Sequence, residues 1–319
     1  MQKLFRDVAG ACLAPHGSVV CIGAFDGVHL GHRSVLEHAR VQAASLDLMP
    51  IAVSFAPIPR VFFARGAAVS QLASAREKIG TLIGAGMQRV LMLHFDAALA
   101  AMPAEMFVEQ VLVARLAARE VWVGECFRFG HARKGDLALL QRMGEARGFR
   151  ADDVPPFVLD GERVSSSRIR ALLAASDFDG AARLLGRRFT IGGHVVRGQQ
   201  LGRKLGYPTA NLRLGSRVAP VGGVFAVRVH NVGTSARPGV ASLGVRPTIN
   251  GKEPLLEAHL FDFDGDLYGK RIEVEFVEKL RDEEKFDSLE AMVKQIDRDA
   301  HSAREILGCV SATAAGATL

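Results

Sequence analysis

Between residues 19 and 155, short unbroken apolar runs alternate with longer stretches of helical periodicity: VVCIG at 19–23, IAVSF at 51–55, VLMLHF at 90–95 and VWVG at 121–124. A run that is apolar at every position belongs to a strand covered on both faces, and parallel pairing needs the intervening helices as crossovers. Helix boundaries agree with this. Pro103 opens a helix where a missing N–H costs nothing, and Asp136 and Gly148 bracket another as cap and stop. The pattern predicts a Rossmann-like α/β domain with a parallel sheet.

After LLGRRF at 184–189 the texture changes to short alternating runs separated by glycine-rich turns, among them Asn250-Gly251 and Asp264-Gly265-Asp266. In RIEVEFV at 271–277, Ile272, Val274 and Phe276 face one side and Glu273 and Glu275 the other, a half-buried strand. A small β-barrel or sandwich fits this half. A closing helix follows, with Asp287 and Glu290 as a capping box and Leu289, Met292, Val293, Ile296 and Ala300 as the face that packs on the β domain. The expected domains are 1–186 and 187–308, with 309–319 as a disordered tail of small, patternless residues.

Composition permits two cores, since 49% of the 319 residues are apolar. The formal charge of +6 is spread along the chain, and one Trp with two Tyr makes no stacking platform for bases, so no nucleic-acid partner is expected. Arg6 and Asp7 interrupt any secretory segment, and no run reaches the ~18 apolar residues of a membrane span. Cys12, Cys21, Cys126 and Cys309 are scattered without a C-x-x-C pair, which suggests a reducing compartment. A cytoplasmic protein with no membrane partner and small-molecule substrates is the expectation.

The segment CIGAFDGVHLGHRSVLEHA runs from a strand through a glycine-rich turn containing Gly23, Gly27 and Gly31 into a helix. It sets His29 and His32 beside the free N–H groups of a helix start, a seat for phosphate. Either histidine alone reads as a packing residue, but two at one turn read as a site. No Walker A sequence or protein-kinase signature is present. A second segment, GERVSSSRIRALLAA at 161–175, places Ser165, Ser166 and Ser167 before a helix bearing Arg168 and Arg170. If that helix end faces the His29/His32 turn, the serines, backbone amides and Arg168 bind a polyphosphate together, and the pair of segments makes a nucleotidyl-transfer site.

In the β half, GQQLGRKLGYPTAN at 198–211 combines glycines that allow close backbone approach with Thr209 and Asn211, whose hydroxyl and carbonyl are hard oxygen ligands for Mg²⁺ carrying nucleotide phosphates. Downstream, Glu257 lies in a strand-like stretch, where a solvated outward position is the ordinary alternative. Asp262, Asp264 and Asp266 lack the remaining ligands of a calcium loop and read as a polar turn.

In this order the motifs resemble the bifunctional prokaryotic riboflavin kinase/FAD synthetase family from about residue 15 to 308: GAFDGVHLGH at 23–32, GECFRFG at 124–130, VSSSRIR at 164–170, LGYPTAN at 205–211, GVRPT at 244–248 and FDFDGDLYG at 261–269. The resemblance implies an N-terminal nucleotidyltransferase domain (1–186) that transfers AMP from ATP to FMN, giving FAD. His29 and His32 would stabilise charge on the α-phosphate, while Gly23, Phe25, Asp26, Gly27, Ser165, Ser166, Ser167 and Arg168 bind ATP or its phosphates. It implies equally a C-terminal barrel (187–308) that phosphorylates riboflavin. There Gly206, Thr209 and Asn211 bind Mg-ATP, Thr209 and Asn211 hold the metal, Glu257 is the base and Arg281 lies near the flavin. ATP is then a co-substrate at both sites, Mg²⁺ the cofactor, and riboflavin, FMN and FAD substrates and products.

Three positions depart from the usual family pattern: Cys126 stands where Asp is normal, Ile58 where His is common, and Ser167 where Thr is frequent. Two rivals stay open on sequence alone. One is a nucleotidyltransferase for another small phosphate with an accessory barrel; the other is a non-catalytic RNA-binding protein.

Overall fold

Each apolar run forms a strand of one sheet in the computed structural model, which describes residues 3–64, 66–198, 202, 205–248 and 251–309. In chain order the elements are β1 (Leu4–Phe5), β2 (Ser18–Ile22), α1 (Leu30–Ser45), β3 (Met49–Ala56), α2 (Pro59–Phe63), α3 (Ala75–Gly84), β4 (Arg89–His94), α4 (Ala97–Ala101) and α5 (Ala104–Phe107). A π-helical stretch, Val108–Arg115, continues α5. Next come β5 (Ala118–Gly124), α6 (Leu137–Arg147), β6 (Arg150–Val154), the short ribbon β7 (Val158–Leu159) with β8 (Glu162–Arg163), and α7 (Ser166–Ala174).

The sheet order is β1-β4-β3-β2-β5-β6, with every pair parallel. All five residues of β2 are buried because both faces are covered: Val20 and Ile22 enter one core, Val19 and Cys21 the other. From β2 the chain moves outward through β3 and β4, then returns to β5 on the other side of β2. The carboxyl end of β2 is therefore the topological switch point, where open α/β sheets bind ligands. Asp136 caps α6 by accepting the Leu139 N–H, and Gly148 stops it at φ 77°.

Of the two architectures open to the β half, barrel or sandwich, the chain forms the barrel. Strands β9 (Thr190–Val196), β10 (Ala210–Arg213), β11 (Gly223–His230), β12 (Arg237–Thr248), β13 (Gly251–Leu260) and β14 (Arg271–Arg281) follow α8 (Phe178–Leu185) and close in the order β10-β13-β12-β11-β14-β9. Ile272, Val274 and Phe276 are fully buried, as their alternation requires. The Asp264–Asp266 segment is an irregular loop between β13 and β14. Of the Asn250-Gly251 turn, Asn250 lies outside the described residues, as do residues 310–319 of the expected tail.

The last helix, α9 (Leu289–Ile306), packs on β11, β12 and β14, where Ala300, Ala303 and Leu307 meet Val224, Ala226 and Val240. Its start differs from expectation by one residue. Ser288 is the N-cap and accepts the Ala291 N–H at 3.1 Å, because a cap oxygen serves the amide three positions on. Asp287 lies outside the cap, and Leu289 is 56% exposed instead of packed. No helix among the described residues is long and apolar enough to cross a membrane.

The chain divides into two units, one holding residues up to Arg168 with Leu184–Gly186, the other holding Ile169–Arg183 and the chain from Arg187 on. Segment 169–183 goes with the barrel because Phe178, 3% exposed, packs against Phe225 edge-on at 5.9 Å and stacks on Phe276 at 6.1 Å. A fragment beginning at Ile169 is therefore expected to outmelt one beginning at Arg187, since burial of one phenyl ring is worth about 1.5–3 kcal/mol. Thermal unfolding of the two fragments side by side checks this; equal melting temperatures contradict it.

Candidate active sites

At the end of β2 the turn is built tightly. Gly27 has φ 82°, and a Cβ there would lie 2.8 Å from the Leu72 side chain, so glycine is required on both counts. Phe25 is 1% exposed and lies edge-on to His32 at 5.3 Å. Asp26 is 3% exposed, and its Oδ1 accepts the N–H groups of Leu72 (2.9 Å) and Ala73 (3.3 Å), which ties the turn to the segment before α3.

His29 is the N-cap of α1, and its Nδ1 accepts the His32 N–H at 3.3 Å. A ring nitrogen that accepts carries no proton, so the proton of His29 sits on Nε2. The two imidazoles stack at 3.6 Å and 19°. Burial first, then the His29 ring and the Lys78 ammonium, hold His32 well below the ordinary histidine value, so it is neutral. His32 Nδ1 is buried and has no hydrogen-bond partner among the described residues.

The serine segment meets this turn. Ser166 Oγ donates to the Asp26 carbonyl at 3.0 Å, joining two motifs 140 residues apart. Ser165 Oγ accepts the Arg168 N–H at 3.3 Å and so caps α7, while Ser167 is exposed. Arg168 gives Nη2 to Glu162 at 2.7 Å, and its Nη1 is buried without a partner among the described residues. Arg163, which the motifs did not single out, donates to Glu125 Oε2 (3.2 Å) and Cys126 Sγ (3.6 Å). Ile58, at the position where the family often has His, is 5% exposed and precedes α2.

A buried lysine was also missed. Lys78 on α3 is 3% exposed and donates to the Ala24 carbonyl (2.9 Å), the Phe55 carbonyl (2.7 Å) and Ser54 Oγ (3.2 Å), bridging the ends of β2 and β3. Its sequence signal was a lysine one helical turn before the buried Leu82, on the apolar face. Burial lowers its pKa to about 8 from 10.5, against the pull of Asp26. The unfolded chain therefore binds more protons between these values, and stability rises with pH across that window by on the order of 3 kcal/mol. Below pH 8 the cost is fully present. Relative to Lys78→Met, the wild type should gain stability as pH rises from 8 to 10.5; a pH-independent gap in melting temperature contradicts this.

The barrel carries two cavities. The first, of about 580 Å³, is lined by Glu257, Ser242, Arg281, His259, Tyr207 and Thr209 among others. The second, of about 600 Å³, is lined by Thr209, Asn211, Arg197, Asp264, Asp266 and Tyr268 among others. Thr209 belongs to both walls. Gly206, at φ 84° in the preceding turn, lines neither.

Register brings the remaining residues together. Glu257 on β13 stands opposite Asn211 on β10 and opposite Ser242 on β12, so the three share one face of the barrel wall. Asn211 is 5% exposed; its Nδ2 donates to the Thr209 carbonyl (3.2 Å) and Oγ1 (3.4 Å). Its Oδ1 is buried with no hydrogen-bond partner among the described residues. Such an orphaned hard oxygen beside a hydroxyl fits Mg²⁺. No group of three or more His, Cys, Asp or Glu among the described residues is placed to hold a metal. Arg281 is pinned by Asp299 of α9 (Nε–Oδ1 3.0 Å, Nη2–Oδ2 2.8 Å) and lies in the first cavity, away from Thr209–Asn211 in the chain.

Comparison with known proteins matches the FAD synthetase family to residues 13–168 and the riboflavin kinase family to residues 185–307. A Pseudomonas fluorescens protein named bifunctional riboflavin kinase/FMN adenylyltransferase is 46% identical over 291 residues, 91% of this chain and 93% of the relative. The Haemophilus influenzae protein of the same name is 41% identical over 303 residues, 95% and 98% of the two chains. Among solved structures, one from Streptococcus pneumoniae described as a macrolide-efflux protein is 28% identical with a TM-score of 0.76, covering 94% of this chain and 98% of that one. With two family matches in tandem and relatives alike along nearly their whole lengths, this chain belongs to the bifunctional riboflavin kinase/FMN adenylyltransferase family.

Proposed function

We propose that the barrel phosphorylates riboflavin with ATP and that the α/β unit transfers AMP from a second ATP to the resulting FMN, releasing pyrophosphate and FAD. The observation that carries this reading is Thr209, shared by two cavities, one with Glu257 and Arg281 and the other with Asn211 and the Asp264–Tyr268 loop. A phosphoryl donor and an acceptor need adjoining pockets with a common boundary at the reacting atoms.

In the kinase, Thr209 Oγ1 and Asn211 Oδ1 would hold Mg²⁺, which when bound neutralises charge on the ATP phosphates. Riboflavin lies in the first cavity, oriented by the Arg281–Asp299 pair. Its terminal ribityl hydroxyl holds its proton tightly, so Glu257 orients the hydroxyl and accepts the proton as oxygen attacks the γ-phosphorus and ADP leaves. Gly198 supports this arrangement, for a Cβ there would lie 2.8 Å from Asn211 Cγ and Oδ1. Gly198→Ala is expected to lower riboflavin phosphorylation by roughly 10–10²-fold, the scale of a misplaced positioning group, with FAD formation from FMN unchanged. Steady-state rates of both reactions measure this, and an unimpaired kinase contradicts it.

Adenylyl transfer has different needs. The FMN phosphate is largely dianionic near neutral pH, its second pKa being ~6, so it needs no base to attack the α-phosphorus. Charge stabilisation is the task. The neutral imidazoles of His29 and His32 offer N–H donors, and the first-turn amides of α1 at Leu30 and Gly31 have no intrahelical acceptor. Gly23 and Gly27 admit the phosphates, Phe25 and Asp26 shape the turn from beneath, Ser166 locks the α7 start onto it, and Ser165, Ser167 and Arg168 complete the phosphate seat. A reducing compartment such as the cytoplasm suits the four free thiols. Incubation with riboflavin, ATP and Mg²⁺ tests the reading: FMN and then FAD should appear by chromatography, and an absence of both overturns it.

A further inference from the structure

The geometry points to His259 as a positioning residue for phosphoryl transfer, holding the Tyr207–Asn211 segment in register with Glu257. This rests on the assignment of the kinase to the barrel. The ladder between β10 and β13 runs from Arg213↔Leu255 to Ala210↔Ala258 and stops there. Pro208 has no N–H with which to extend it. His259, the next residue of β13, ties the segment down by its side chain where the ladder has ended: its Nδ1 donates to the Pro208 carbonyl at 2.9 Å. A carbonyl only accepts, so the ring proton is on Nδ1. Burial, the largest influence on this ring, lowers its pKa and favours that neutral form.

Two ring contacts make the imidazole a fixed strut, and one of the two rings is itself anchored. The imidazole lies edge-on to Tyr207 at 5.2 Å and to Phe261 at 5.8 Å, and the Tyr207 hydroxyl donates to Asp297 on α9. The Tyr207 N–H donates to the Gly202 carbonyl at 2.8 Å. Thr209 is thus held on both sides, by His259 through the Pro208 carbonyl before it and by the Asn211 side-chain amide on its own carbonyl. His259 and Glu257 lie two apart on one strand, on the same face, and both line the first cavity. Any shift of Pro208 moves Thr209 relative to the base, while His259 itself is engaged by protein groups and needs no contact with substrate.

The test compares His259→Leu, which removes the donor, with His259→Asn, whose side-chain amide reproduces an N–H near the Nδ1 position. Kinetics of riboflavin phosphorylation at varied Mg-ATP are read on the full chain, with FAD formation from FMN, thermal melting and Glu257→Gln in parallel. His259→Leu should raise KM for ATP and lower kcat, a combined loss in kcat/KM of roughly 10–10²-fold, with His259→Asn within about threefold of wild type. FAD formation should be unchanged in both. Wild-type kinase constants in His259→Leu overturn the inference, as does His259→Asn that is folded but as impaired as the leucine variant. If His259→Leu does not fold, the asparagine variant alone decides: kinase constants within about threefold of wild type support the inference, and a folded variant impaired by roughly 10-fold or more overturns it. A fully active Glu257→Gln would instead overturn the barrel chemistry itself, and this inference with it.

Discussion

Glu257→Gln is expected to lower riboflavin phosphorylation by roughly 10²–10⁴-fold, the range for loss of a general base, and to leave FAD formation from supplied FMN at the wild-type rate. Gln has nearly the shape of Glu. Position 257 sits in the middle of β13 with Asn211 and Ser242 as neighbours on either side, so the backbone ladder is kept. If Glu257 is the base, the change removes the capacity to accept the substrate proton in the first cavity. KM for ATP should therefore move little while kcat falls. Measurement of kcat and KM separately is the check, and a loss seen only in KM would assign Glu257 to binding.

Replacing His29 and His32 together by Ala produces the converse. FAD synthesis should fall by at least roughly 10²–10³-fold, the cost of removing one preorganised donor from a developing charge, while FMN accumulates from riboflavin. The two rings stack at 3.6 Å, and His29 also caps α1. Loss of an N-cap costs about 1 kcal/mol, a tolerable fraction of the stability of a domain, so the variant should fold. His29→Asn separates the two roles, since asparagine restores the cap without the imidazole Nε2–H. If His29→Asn were fully active in FAD synthesis, the cap and not the imidazole would be what His29 supplies.

Much of the fold was legible because burial leaves a direct trace in residue type. Strands covered on both faces must be apolar throughout, which made β2 to β5 readable, while β1 has two residues and β6 reads RADDV, so neither carried the pattern. The barrel was visible in the alternation at 271–277, but a barrel and a sandwich share that alternation and differ only in whether β9 pairs with β10. The affiliation of segment 169–183 was hidden, since Phe178 reads as one more apolar helix residue until Phe225 and Phe276 are seen beside it.

For the sites, the sequence carried residue types and spacing but not long-range contacts. The histidine pair was evident from H-x-G-H, yet its link to Ser166 spans 140 residues and appears only in the folded chain. Lys78 and His259 were overlooked for the same reason: each acts on backbone carbonyls remote in sequence, at Ala24 and Phe55 for one and at Pro208 for the other. Arg163 was passed over because its partners, Glu125 and Cys126, lie 38 and 37 residues away.

Whether two ATP-dependent reactions occupy separate sites on this chain is tested most directly by one assay. Wild type, Glu257→Gln and His29→Ala/His32→Ala are each given riboflavin with Mg-ATP, and separately FMN with Mg-ATP, and both flavin products are quantified. Glu257→Gln should make FAD from FMN but almost no FMN from riboflavin, and the histidine variant should make FMN from riboflavin but almost no FAD from either substrate. If either variant, shown to be folded by its melting curve, lost both reactions to the same degree, the two-site account would be contradicted and a single shared ATP site would take its place.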